Sequence, residues 1–224
     1  MDANYNLAGL VERIKTRLKD VDYDDDTIKQ FINDAYFEIV GETHYPFLEK
    51  INPYQTFIGG KLPLPQDFQS VFMLTRTDKD GIVTKLEYNP AHTFFKRKPG
   101  SPANQNTFTV YGNNVYFVLD GKCPLTCTPD CEDADLYTMM LYYLAKPQLL
   151  VNDTDVPAIP SEYGEVIVLG ALARAEQLRD NFDFATIYEN KKNEILTNLN
   201  ERYGPRQLQN ENFARPNVRV HLGA

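Results

Sequence analysis

No stretch of this 224-residue chain approaches the ~20 consecutive apolar residues that a membrane-crossing helix needs. The opening residues, MDANYNLAGLVERIK, lack a basic segment followed by an apolar core, so no secretory signal is expected and the chain reads as made and folded in cytoplasm. Cysteine is scarce and odd in number: Cys123, Cys127 and Cys131 stand alone, which excludes a disulfide framework. Their C-x3-C-x3-C spacing is permitted for zinc but supplies only three of the four ligands, and His44, His92 and His221 lie far away in sequence. Free thiols or a single disulfide are expected there instead of a metal. With three His in all, and no G-x-S-x-G, H-E-x-x-H, Walker or G-x-G-x-x-G pattern, the usual hydrolase, metalloprotease and nucleotide-binding signatures are missing. Positive charge is also short: a net charge of -8 and a pI near 4.9 argue against the broad basic face of a sequence-independent DNA binder.

Several groups imitate sites. The run Asp20 to Asp26 resembles the start of a calcium loop, but Asp25 replaces the turn Gly and Phe31 the final Glu. Negative charge before a helix explains it more simply. Asp153-Thr154-Asp155 reads as an ordinary turn. Glu38, Glu42 and Glu49 could in principle form a glycosidase-like carboxylate pair, but Glu at helical spacing is usually a solvated face. The 13 Phe and 14 Tyr mostly fall on apolar helical faces or alternate in strands without neighbouring Lys or Arg, which suits core and interface better than base stacking.

What the chain does contain is organised around Pro160 to Gly204. Ser161 is a candidate N-cap, with Glu162 and Glu165 in the first turn. Val166, Leu169, Leu172, Ala173 and Leu178 recur at helical spacing, widened by Val168, Ala171 and Ala175. Asp180-Asn181 breaks the run. A further helix opens near Asp183, with Phe184, Ile187, Tyr188, Ile195, Leu196, Leu199 and Tyr203 as its apolar face. Gly204-Pro205 stops it, Gly supplying a left-handed C-terminal position. At the other end of the chain, residues 6 to 19 and Asp25 to Val40 form two amphipathic helices. The wide face of the Val166 helix requires more cover than one partner provides.

Residues 50 to 147 differ in texture. Short apolar runs (Gln55–Ile58, Val71–Leu74, Val83–Tyr88, Phe108–Tyr111, Val115–Val118, Leu136–Tyr143) alternate with turn signals at Gly59-Gly60, Asp80-Gly81, Gly112-Asn113-Asn114 and Asp120-Gly121. Pro65 to Phe68 suggests a helical turn and Pro90 to Lys98 a short helix. The expected fold is therefore α+β: a four-helix bundle, a β-sandwich or barrel of about six strands inserted between its second and third helices, and an extended arm. The expected boundaries are 1–49 and 148–204 for the helical body, 50–147 for the insertion and 205–224 for the arm. The arm carries Arg206, Arg215 and Arg219 against Glu211 alone, together with Phe213, Val218, Val220 and Leu222. A basic extended arm on an acidic body seeks an acidic partner, although a loose terminus is the plainer reading.

The phrases YDDDTIKQFINDAYFEIV, LPLPQDFQSV, FTVYGNNVYF, the whole IPSEYGEV to NEIL stretch and ERYGPRQ, in this order, resemble tailed-phage head-to-tail adaptor (connector, head-completion) proteins. CPLTCTPDCEDADLY departs from the short polar turn expected in such a protein. The resemblance implies a non-enzymatic virion protein of the neck, assembled in the host cytoplasm. It implies a ring of twelve subunits under the portal, with the helices forming the ring and the insertion facing a neighbour or a tail or nozzle protein. The arm residues Arg206, Phe213, Arg215, Val218, Arg219, Val220 and Leu222 would dock on the portal. Packaged DNA would pass through the channel without sequence-specific binding. No cofactor and no membrane contact are implied. A tail-tube or tail-terminator component and a virion-associated peptidoglycan hydrolase are the competing readings.

Overall fold

The computed structural model describes residues 5–18, 23–41, 44–54, 60–96, 106–119 and 138–204. The Cys123, Cys127 and Cys131 loop and the arm from Pro205 onward lie outside the described residues. The described residues divide into two compact units, one formed by those up to Leu48 and by 146–204, the other by those within Glu49–Ala145.

The helical unit contains α1 (Leu7–Leu18), α2 (Asp25–Gly41), α4 (Glu165–Leu178) and α5 (Phe182–Tyr203). α4 is its hub. Val166 to Ala173 are buried without interruption, and Ala175 and Glu176 with them, so α4 is apolar nearly all round and takes partners on several sides. α1, α2 and α5 all pack on it. The four-helix bundle expected from the sequence is therefore not what forms, although the α+β class is right. A bundle needs four helices that each bury one comparable stripe. Here α4 is enclosed while α5 buries only Ala185, Lys192 and Leu199, residues seven apart that trace a narrow seam. Two local expectations also change. Ser161–Tyr163 forms a 3-10 turn, and α4 starts after Gly164 with no side-chain cap. Gly204 is extended (φ -55°, ψ 159°) instead of left-handed, and its N–H donates to the Asn200 carbonyl at 2.7 Å. There a side chain is excluded by space: a Cβ would lie 2.1 Å from that oxygen.

The strap from Lys146 to Pro160 is pinned to α1 and α2. Asn33, buried in α2, donates from Nδ2 to the Leu150 carbonyl and accepts the Leu150 N–H, both at 2.9 Å. The Tyr36 hydroxyl accepts the Ala158 N–H at 3.1 Å, and Tyr5 donates to the Ile159 carbonyl at 2.7 Å.

The second unit is one seven-stranded mixed sheet, curled like half a barrel, in place of the sandwich or closed barrel of about six strands that was expected. Its strands are β1 (Glu49–Tyr54), β2 (Lys61–Pro63), β3 (Phe68–Thr77), β4 (Val83–Tyr88), β5 (Thr107–Tyr111), β6 (Asn114–Val118) and β7 (Thr138–Ala145), in spatial order β1-β7-β3-β4-β5-β6-β2. A fifth helix, α3 (Ala91–Phe94), belongs to this unit and lies in the connection that makes β4 and β5 parallel. Curling lets one sheet close over its own core: Leu62, Val71, Leu74, Leu86, Phe108, Val115, Phe117, Met139 and Leu141 form a single buried cluster. Register shifts in β3 at Phe68/Ser70 and Val71/Met73 accompany the bend. The β3–β4 hairpin forms at the expected Asp80-Gly81, where Asp78 Oδ1 accepts the Ile82 N–H at 2.8 Å and Gly81 takes φ 78°. β1 and β2, the two edges, each contain a proline, Pro53 and Pro63. Proline cannot donate to a ladder and is confined to edges, where it also discourages pairing with foreign strands.

Candidate assembly surfaces

The acidic groups that imitate sites are structural. Asp24 Oδ1 accepts the Thr27 N–H at 2.7 Å, and hydrogen bonding from the Thr27 side chain, together with that N–H, holds its carboxyl below the usual range. Asp25 pairs with Lys15. Asp24 thus caps α2, and its charge suits a helix N-terminus. Asp155 accepts the Asn152 and Val151 N–H groups at 2.8 Å each, which lowers its pKa in the same way, and Asp153 pairs with Lys29 at 2.8 Å. Among the described residues no group of three His, Cys, Asp or Glu side chains is placed to hold a metal.

Glu38 is held by two cations. It lies between Lys192, 2.8 Å away on α5, and Arg174 on α4, while Lys192 also reaches Glu189 at 2.6 Å. Burial pushes the Glu38 carboxyl up, but the two cations outweigh it and leave the pKa below the ordinary 4.5. For Lys192, burial works downward, and its two carboxylates overcome that and raise the pKa. This network ties α2, α4 and α5 together through a lysine whose side chain is only 4% exposed. Glu49 is exposed on β1, and Glu42 lies outside the described residues. A second tie joins α1 to the start of α4, where Arg13 and Arg17 both hold Glu165.

The described residues also display apolar side chains. Leu178, Phe182, Phe184 and Ile187 at the α4–α5 turn are exposed, as are Leu149, Val151 and Val156 on the strap. The sequence reading assigned Leu178, Phe184 and Ile187 to buried helical faces. The structure corrects this, because the narrow seam of α5 turns toward α4 through Ala185, Lys192 and Leu199. The seven-residue spacing of those three was the available signal. In the sheet unit, Ile51, Ile82, Val83, Phe95 and Tyr111 are exposed. Such residues are what partner surfaces are made of. The proposed arm residues, Arg206, Phe213, Arg215, Val218, Arg219, Val220 and Leu222, lie outside the described residues.

A scaffold of two units with no metal-holding cluster among its described residues, and with apolar side chains facing outward, suits assembly. Residues 5–219 match the SU10 adaptor protein family. The chain belongs to that family. It is a phage head-to-tail adaptor family, and the match runs through both units. No curated protein matches the chain. Adaptors of this kind are structural proteins that assemble with other phage head and tail proteins, and this adaptor is one of them. None of its described helices is long and apolar enough to cross a membrane.

Proposed function

We propose that this adaptor forms a twelve-fold ring beneath the portal in the virion neck, extends the DNA channel and presents the surface to which the tail or nozzle protein attaches. The observation that carries the reading is family membership across 5–219, which takes in both units. The exposed apolar residues of the α4–α5 turn and the strap fit ring neighbours. Acidic residues outnumber basic ones chiefly in the residues of the helical unit, and a wall of that sign repels the DNA backbone, letting it slide without sticking. The arm, through Arg206, Arg215 and Arg219 with Phe213, Val218, Val220 and Leu222, docks on the portal. Arginine holds carboxylates through two parallel bonds that lysine does not reproduce.

Truncation after Gly204 removes no residue of α5, which ends at Tyr203, so it leaves the helical unit folded by circular dichroism. It abolishes co-sedimentation with the cognate portal ring, and changing the three arginines to lysine in the full chain gives an intermediate level. A truncated chain that co-sediments like the full one assigns docking to the body instead.

A further inference from the structure

We infer that the α3–β5–β6 corner of the sheet unit binds single-stranded nucleic acid. Phe95, just after α3, is the centre of an aromatic cluster. It meets Tyr111 edge-on at 5.6 Å between centroids, Tyr116 at 5.4 Å and Phe94 at 5.4 Å. Phe94 is buried, but Phe95 is 44% exposed and Tyr111, at the end of β5, is 62% exposed. Cations border these rings. The β2–β6 pairing sets Lys61 opposite Tyr116, with its Nζ 5.9 Å from the ring centre, and exposed Lys96 follows Phe95 directly. Arg13, Lys15, Arg17, Lys29, Lys50, Arg174 and Lys192 each hold a carboxylate. Among the described residues Lys61, Lys79, Lys96, Lys146 and Lys191 hold none, and of these Lys61 and Lys96 belong to this corner.

Unpaired cations beside exposed rings call for an anion that also presents flat faces. A single strand offers both, phosphates for Lys61 and Lys96 and a base to stack on Tyr111. An acidic peptide would satisfy the lysines and leave the rings in water. A duplex keeps its base faces inside the stack. With two lysines, and an overall charge of -8 opposing a long polyanion, the contact is short and strongly salt-dependent.

The inference stands apart from the ring reading, since its test uses the purified full-length chain with no portal present. Fluorescence anisotropy with a labelled oligo-dT of about twenty nucleotides should show binding at about 50 mM salt. Two phosphate contacts weaken it about tenfold on raising salt to about 300 mM. Tyr111→Ala, at a position too exposed to disturb the fold, weakens binding about tenfold, and the Lys61→Glu, Lys96→Glu double variant removes it. The inference is overturned if the oligonucleotide does not bind, if the variants bind it as the parent does, or if a duplex of equal length binds as tightly. An oligo-glutamate peptide that binds in its place, in a manner abolished by the same lysine changes, would reassign the corner to an acidic protein partner.

Discussion

α2 comes close to α4 at Gly170, and a single methyl group there separates two opposing effects. A Cβ added to Gly170 would lie 2.9 Å from Ala35 Cβ, 3.4 Å from Lys192 Cδ and 3.8 Å from Ala35 Cα. In an isolated helix, Gly to Ala gains about 1 kcal/mol. At this crossing the two methyl groups would sit well inside ordinary van der Waals separation, and overpacking of this kind costs about 1–3 kcal/mol. The clash wins, so Gly170→Ala should destabilise the helical unit by about 1 kcal/mol, or roughly 2–4 °C in melting temperature. Ala35→Gly removes the opposing methyl. In that background the new methyl group meets only the backbone of residue 35, at an ordinary 3.8 Å, and the movable Lys192 stem. Gly170→Ala should then stabilise by about 1 kcal/mol. The coupling of about 2 kcal/mol lies within the range measured for residues that touch. Urea unfolding of the four chains by far-ultraviolet circular dichroism gives the cycle. If Gly170→Ala has the same sign in both backgrounds, the packing reasoning is wrong.

Other consequences can be measured on the same footing. Gly164→Ala would place a Cβ 2.2 Å from Tyr5 Cε2. It should displace that ring, break its bond to the Ile159 carbonyl and cost about 2–3 kcal/mol, against about 1 kcal/mol for Tyr5→Phe. Because the folded pKa of Glu38 is lowered, the stability it contributes is present above about pH 4.5 and lost as pH falls through the folded value. Glu38→Gln should therefore cost about 1 kcal/mol at neutral pH, kept modest by solvent screening, with the gap to the parent closing toward pH 3 in melts run across the acid range. Replacing Cys123, Cys127 and Cys131 together by serine should leave the melting temperature within a degree or so. One equivalent of zinc in the parent protein, or a large drop in the variant, would contradict that.

The sequence made the helices legible because each carries its own periodicity, and the Asp80-Gly81 hairpin because the turn chemistry is local. Burial on α5 was misread. Phe184 and Ile187 satisfy helical spacing as well as any core residues, but what lies against a helix is decided by its partner. The smooth seam of α4 accepts Ala185 and the stem of Lys192. The sheet was harder still. β2 is three residues long and is held by its pairing with β6, a strand distant in sequence. The curl that replaces a second layer depends on register shifts in β3 that composition does not announce. The same non-local pairing brings Lys61 to Tyr116, so the aromatic residues that lack basic neighbours in sequence gain one in space. The Lys192 network escaped notice because its members, Glu38, Arg174, Glu189 and Lys192, come from three helices, and a lysine in a polar stretch of sequence gives no sign of burial.

The central claim is that this adaptor is a ring subunit held on the portal. Its most direct test is an electron-microscopy class average of the full-length chain mixed with the portal of the same phage. Mostly single chains are expected in the protein alone and, on the portal, an added ring of twelve-fold symmetry continuous with the channel. A portal without added density, or a ring of six-fold or three-fold symmetry, would contradict it.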